Sequence, residues 1–574
     1  MDDGSVTPEG SVSAGAAMFT KLRALGVDCV LVNSGTDFPP IIEGLAEAGA
    51  KGADLPQPLI IPHEHAAMGM AHGYYLATGK TPAVMLHTNV GLSNGVTGLI
   101  NAATDNIPIL LMSGRTPVTE QNRFGARTVP IGWGQEMRDQ TAMVREPCKW
   151  DYELRFPEQT PELLDRAYGI ANSMPKGPVY MSLPREVLCE PCPSEGLDAP
   201  GSMNAAKAGP RAEDITRLAD AIASARNPVI FAQRGAGSAA GFAALSKLAE
   251  DWAIPVCSYW ATALPVPSKH PMNVGPSPAP WLTEADVVVV IDSLAPWEPD
   301  SHNPAPGAMV AQMGPDPLFS RFPVRNFRAD VAIACAVDEG IMALEAALRP
   351  RLTQADGALI AARDERVRKA AAAYQAESLE TAMAGARSPM TKAYVGKCVS
   401  DAIQGYKSTV LSELGAPLSS LDLDAYDSWR QLPHSGALGW SVPCAMGMKL
   451  GDPDRLVVAT LGDGSYMFAN PIVCHQVMEA YDLPVLSVVV NNAEWGAVRK
   501  SVQGLYPNGY AARANQIPLT ALSPSPDFSR AAEASNGWAR KTSDPDALPG
   551  LLKEGVRIVM EEKRSAMLDV MICD

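Results

Sequence analysis

Two apolar runs, each released into polar residues, constrain this chain more than any other feature. Leu456-Val457-Val458-Ala459-Thr460-Leu461 leads into Gly462-Asp463-Gly464-Ser465, and Val485-Leu486-Ser487-Val488-Val489-Val490 leads into Asn491-Asn492. Runs of this length and composition read as buried parallel strands. Open α/β sheets bind their ligands beyond the carboxyl ends of such strands. An Asp carboxylate, an Asn amide and a nearby backbone carbonyl are hard oxygen donors, suited to Mg²⁺ or Ca²⁺ and not to zinc. A cation held this way keeps positions open for phosphate oxygens, so a diphosphate is the expected ligand. Gly-Asp-Gly alone would mean no more than a tight turn; the second strand and its Asn pair give it chemical content.

The chain has 574 residues, is 47% hydrophobic and 19% charged, and carries a net charge of −16. Its length predicts two to four folded domains. Its charge argues against nucleic acid and anionic membrane surfaces as general partners. No apolar run is long enough to span a bilayer. Met1-Asp2-Asp3-Gly4-Ser5 is acidic and polar, unlike a secretory signal. A cytoplasmic location is therefore expected, with the ten cysteines read as reduced thiols in apolar surroundings. Cys189 and Cys192 form a lone Cys-x-x-Cys with no second pair to complete a zinc site.

Strand-like runs at 28–32, 83–86, 109–112 and 179–181 alternate with helical patterns, which predicts a parallel α/β sheet. Further strands are expected at 228–232, 287–291 and 567–571. The stretch 189–209 is rich in Pro, Gly, Ser and Ala and reads as a linker. Gly235-Ala236-Gly237 follows a strand without the full dinucleotide fingerprint and reads as a structural turn. The Ala-rich, charged stretch 353–384 favours one long helix.

The Gly-Asp-Gly-Ser…Asn-Asn arrangement resembles the cofactor motif of the thiamin diphosphate-dependent enzymes. The Glu64-His65-Ala66-Ala67 segment is similar to the catalytic-glutamate segment of their pyrimidine-binding domain. Three α/β domains with doubly wound parallel sheets are then implied: pyrimidine-binding over 11–188, central over 210–351, a linker helix over 352–387, and diphosphate-binding over 388–574. The resemblance implies thiamin diphosphate with Mg²⁺ (or Ca²⁺), while a flavin is not expected. Asp463, Asn492 and the Glu494 carbonyl would hold the metal. Gly462, Gly464 and Ser465 would face the diphosphate. Glu64 would bond the aminopyrimidine ring, the Gly436 carbonyl its 4′-amino group, and Leu438 would wedge between the two rings. A semi-buried carboxyl suits the proton traffic that forms a C2 ylid, which attacks a carbonyl and leads to an enamine. In this family the site lies between subunits, so a homodimer or homotetramer is implied.

Fold and cofactor do not choose the reaction. His87 stands where benzoylformate decarboxylase carries an active-site histidine. Thr36, Asn89, Gln135, His302 and Trp495 are further substrate-contact candidates. The expected activity is a C–C lyase or carboligase acting on a 2-keto acid, as a decarboxylase or an acetolactate synthase-like enzyme. If the Glu494 side chain enters the pocket, it could serve as acid or base and would repel a substrate carboxylate. That motivates an acyl-CoA substrate and a 2-hydroxyacyl-CoA lyase as the alternative. A non-catalytic protein of this fold would require a broken motif.

Overall fold

The computed structural model describes residues 8–514 and 516–573. The acidic Met1–Ser5 segment, read above as unlike a secretory signal, lies outside them. Among the described residues, seventeen strands form three parallel sheets. The first contains β1 (Cys29–Val32), β2 (Gln57–Ile60), β3 (Ala83–Leu86), β4 (Leu110–Arg115), β5 (Asp151–Glu153) and β6 (Val179–Pro184), in the order β2-β1-β3-β4-β6-β5. The second contains β7 (Pro228–Ala232), β8 (Val256–Cys257), β9 (Val287–Ile291), β10 (Met309–Gly314) and β11 (Val331–Ala334), in the order β8-β7-β9-β10-β11. The third contains β12 (Ser408–Glu413), β13 (Trp429–Gln431), β14 (Leu456–Gly462), β15 (Leu486–Asn491), β16 (Trp538–Thr542) and β17 (Ala566–Met571), in the order β13-β12-β14-β15-β17-β16.

In each sheet the chain starts one strand from an edge, fills that edge, then crosses over and leaves a topological switch point: β1/β3, β7/β9 and β12/β14; the first and third sheets turn back again at their far edge, where β6 lies inside β5 and β17 inside β16. Strand order therefore predicts three ligand crevices. The central one is filled by the chain itself. Arg234 pairs with buried Asp292 at 3.2 Å, and the Arg325 guanidinium donates to the Ser293 and Leu294 carbonyls at 2.9 and 2.8 Å. Gly235 and Gly237 both have positive φ there, and a Cβ on Gly237 would lie 2.9 Å from the Asp338 amide. The turn is built by packing.

By contact the chain falls into two compact units, Met1–Ala206 with Pro433–Asp454 and Met467–Leu483, and Lys207–Leu432 with Arg455–Tyr466 and Pro484–Asp574. The core of the first gathers Phe19, Leu22, Met85, Met112 and Met181 around the first sheet. The core of the second runs continuously through Val289, Ile291, Val399, Val458 and Val488. Among the described residues no helix is long and apolar enough to cross a membrane.

Within the first unit, α1 (Glu64–Thr78) crosses the helix Ser441–Gly451 almost backbone to backbone. A Cβ on Gly73 would lie 1.8 Å from the Cys444 carbonyl oxygen, and one on Gly447 would lie 1.9 Å from that of Met70. Ala66, Ala67, Met68, Met70 and Ala71 are all fully buried, so α1 is apolar on every side, as a core helix must be. Its C-cap is Gly79 at φ 70°.

Two expectations shift. The long helix begins at Gly357 and runs to Ala384, because the Asp356 side chain accepts from Ala358 and Leu359 N–H and caps it. The presumed linker 189–209 contains a strand, Pro191–Pro193, paired antiparallel with Ser11–Ser13. That pairing buries Cys192 beside Ala14, Ala17 and Leu197. Cys189 and Cys192 are both free, and burial pushes each thiol up to about 11, the opposite of a reactive thiolate.

Replacing Gly447 with Ala should destabilise the protein by about 1–3 kcal/mol through overpacking. Urea unfolding would measure it, and an unchanged midpoint would refute the close crossing.

Candidate active site

The β1/β3 switch point gathers Asp37, His87 and Gln135. His87 follows β3 directly and precedes α2 (Thr88–Thr104). Its Nδ1 lies 2.5 Å from Asp37 Oδ1, and its Nε2 lies 3.1 Å from Gln135 Nε2. Two glycines make this contact possible. A Cβ on Gly35 would fall 2.0 Å from His87 Nδ1, and one on Gly114 would fall 1.4 Å from Asp37 Oδ2. Thr88 adopts φ 37° immediately afterwards, and its N–H reaches Asp37 Oδ2 at 3.4 Å. Such strain in a non-glycine residue is characteristic of functional sites. The hydrogen bond that the His87 ring donates to Asp37 holds the imidazole's pKa above its ordinary range, outweighing burial, with the charges of Asp37 and Glu64 adding to the effect.

Glu64 opens α1, where the helix dipole favours a carboxylate. It is half-buried, its Oε2 accepts from Asn94 at 3.1 Å, and a Cβ on Gly91 would approach its Oε1 to 3.0 Å. Asn89 is half-buried, and its Oδ1 has no hydrogen-bond partner among the described residues. Thr36 is exposed, with its carbonyl accepting from Arg185 at 3.2 Å.

The loop bearing Gly436 and Leu438 belongs to the same unit. Asn101 of α2 donates to the Ala437 carbonyl at 2.8 Å and accepts from Ser435 at 2.6 Å, while His65 of α1 donates to the Gly439 carbonyl at 3.1 Å. Gly436 has φ 67° and open space where a Cβ would stand. Leu438 is half-buried.

The β12/β14 switch point belongs to the second unit. The pair Gly462↔Val490 aligns β14 with β15, so Asp463 and the Asn pair leave neighbouring strand ends. Asp463 is buried; its Oδ1 accepts from Gly464 N–H at 3.0 Å, while its Oδ2 has no hydrogen-bond partner among the described residues. Burial pushes its carboxyl above the usual carboxylate range. Asn491 is pinned by Asp569 at 3.0 Å and accepts from Ala493 N–H at 3.0 Å; Asn492 accepts from Glu494 N–H at 3.2 Å. Ala493 adopts φ 54°. A buried carboxylate oxygen unbonded among the described residues, on a strand end adjacent to the one that carries an amide and a backbone carbonyl, fits a hard divalent cation. The Trp495 indole lies against Gly464, where a Cβ would meet its ring at 2.2 Å. Ser465 is buried and Gly462 half-buried.

The Glu494 carboxylate is engaged at both oxygens, by Thr520 at 2.6 Å and Arg499 at 2.8 Å. His302 is half-buried in the loop after β9, its N–H bonded to the Glu298 carbonyl at 2.9 Å. Asp37 was missed by sequence reasoning. The available signal was an acid directly after the glycine-bearing strand-end loop, where exposure would be the ordinary expectation.

Comparison with known families identifies the class as enzymes that use a thiamin cofactor. The models of the N-terminal, central and C-terminal domains of thiamine pyrophosphate enzymes match residues 12–143, 215–344 and 422–570. The chain belongs to the thiamin diphosphate-dependent enzyme family, as a lyase or transferase of its decarboxylase and acetolactate synthase-like group. It is 28% identical to a probable 2-ketoarginine decarboxylase of Pseudomonas aeruginosa, over 96% of this chain and 92% of that protein. It is 25% identical to a probable acetolactate synthase large subunit of Methanocaldococcus jannaschii, over 94% and 89%. The fold matches a thiamine diphosphate-dependent 4-hydroxybenzoylformate decarboxylase of Rhodococcus jostii RHA1 with a TM-score of 0.77 at 22% identity, over 98% and 99% of the two chains.

Gly464→Ala should swing the Trp495 indole out of its seat and lower stability by about 1–3 kcal/mol. A crystal structure and a urea titration of the variant would check this; an unmoved indole would contradict it.

Proposed function

We propose that the protein is a thiamin diphosphate- and Mg²⁺-dependent C–C lyase or carboligase acting on a 2-keto acid. The unbonded, buried Asp463 Oδ2 at the end of β14 carries this reading. Asp463, the Asn492 side chain and the Glu494 carbonyl would hold Mg²⁺ (or Ca²⁺), with Gly462, Gly464 and Ser465 toward the diphosphate. Glu64 would hold a proton at the aminopyrimidine ring, the Gly436 carbonyl would accept from its amino group, and Leu438 would set the angle between the rings. When bound, the cofactor supplies an electron sink for the pair released as the C–C bond breaks.

The 2-keto acid is favoured over an acyl-CoA because Arg499 already neutralises Glu494. The repulsion that would have selected a thioester is thereby removed, and Glu494 keeps only its backbone role. His87, Asn89 and Gln135 are the substrate-facing groups of the first unit; Thr36, Trp495 and His302 are secondary. The domains extend over 11–188, 210–351 and 388–574, with 352–387 linking the last two. Glu64 of one chain would meet Asp463 of another, making a dimer the smallest active assembly. Among the described residues no cysteine forms a disulfide, which supports a reducing compartment such as the cytoplasm.

Glu64→Gln and Asp463→Ala should each lower turnover by about 100-fold or more. The assay is a panel of pyruvate, benzoylformate, a guanidinium-bearing 2-keto acid and a hydroxyacyl-CoA ester, with products identified by mass spectrometry. Calorimetry should show that Asp463→Ala also loses Mg²⁺-dependent thiamin diphosphate binding, while Glu64→Gln retains it. Full activity of either variant would overturn the assignment.

A further inference from the structure

Decarboxylation of a 2-keto acid anion to an aldehyde takes up one proton, so the site needs a group that delivers one. We propose that Asp37 is a positioning residue that orients His87 as this proton-transfer group, with Gln135 as its outer contact; the role of His87 rests on the function proposed above.

The geometry separates this pair from an incidental one. Asp37 is 4% exposed, yet its carboxylate lies 2.5 Å from His87 Nδ1. Gly35 and Gly114 leave no room for a side chain beside the ring or the carboxylate. Both glycines belong to the strand-end geometry that brings the pair together, and a methyl group at either would break the contact. With Nδ1–H committed to Asp37, Nε2 is the atom left to exchange a proton. Gln135 suits that duty, since its amide can present N–H to a neutral imidazole or its oxygen to an imidazolium. The loop carrying Gln135 is tied down by its neighbour Glu136, which receives Arg115 at 2.8 Å, Thr116 at 3.1 Å and Arg127.

A small cavity of about 20 Å³, lined by Thr36, Asp37, Thr88, Thr116, Arg127 and Gln135 among others, borders Asp37 and Gln135, the two partners of the His87 ring. It is large enough for one water molecule with polar partners. The proton step balances as follows. His87 gives its Nε2 proton to the atom left basic by C–C cleavage, becomes neutral with Nδ1–H still donated to Asp37, and regains a proton from solvent.

The charged groups facing the ring are Asp37 from the β1 loop and Glu64 from α1. Arg127 and Arg185 line the cavity, the first paired with Glu136 and the second bonded to the Gly125, Ala126 and Thr36 carbonyls. Both carboxylates favour the imidazolium, which is therefore stabilised by folding. That contribution is complete below about pH 6.5, the unfolded value for histidine, and is lost as pH rises through the higher folded value.

The test is Asp37→Asn, which keeps shape and removes charge. In ¹⁵N-histidine-labelled enzyme, with His87 assigned by comparison with His87→Phe, the His87 titration should fall by about one unit or more, a tenfold change in proton affinity. The alkaline limb of kcat/KM should fall by the same amount. In the His87→Phe background, Asp37→Asn should cost less than twofold further. A titration within about 0.3 units of the parent, or a further tenfold loss in the His87→Phe background, would overturn the proposal. If the parent turns over no 2-keto acid while the titration shift is present, the proposed function fails and the Asp37–His87 pairing stands.

Discussion

Parallel pairing sends every carboxyl strand end of a sheet to the same edge, and the rest of the molecule follows from that constraint. Where strand order reverses, two adjacent loops must diverge, leaving a crevice whose floor is backbone and whose walls are strand-end side chains. All three sheets have such a reversal after their second strand. At β7/β9 the chain fills the crevice with the Arg234–Asp292 pair and Arg325. At β1/β3 and β12/β14 it places groups whose bonding is incomplete or strained: Asn89 and Asp463 oxygens that lack partners among the described residues, and Thr88 and Ala493 at positive φ. The same scaffold is closed in one place and chemically open in two.

Close approach is the second device, and glycine is its means. Gly73 and Gly447 let α1 meet a second helix at backbone distance, fixing the helix whose first residue is Glu64. Gly35 and Gly114 admit the Asp37–His87 contact, and Gly464 admits the Trp495 ring. A carboxylate in so little space loses hydration, which raises Asp463, or gains a cationic partner, which raises His87. Packing and proton affinity are thus set by the same residues.

Glu494 illustrates how a neighbour changes a residue's meaning. As a free carboxylate at the end of β15 it would repel an anionic substrate. Bound by Arg499 and Thr520, it presents a neutralised pair instead. Cys192 offers a similar contrast: its spacing from Cys189 suggests chemistry, and a three-residue strand pairing buries it instead.

The sequence by itself determined the three-sheet α/β architecture, the strand ends that carry Asp463 and Asn492, the Glu64 helix start and the cofactor class. Those signals are local: apolar runs, their polar exits and short motifs survive in one dimension. Tertiary structure decided which residues share a crevice. Asp37 lies 50 residues before His87, and Arg499 and Thr520 flank Glu494 from a helix and a loop. Such pairings depend on strand order and on how closely backbones approach, and neither is written at the residues that use them.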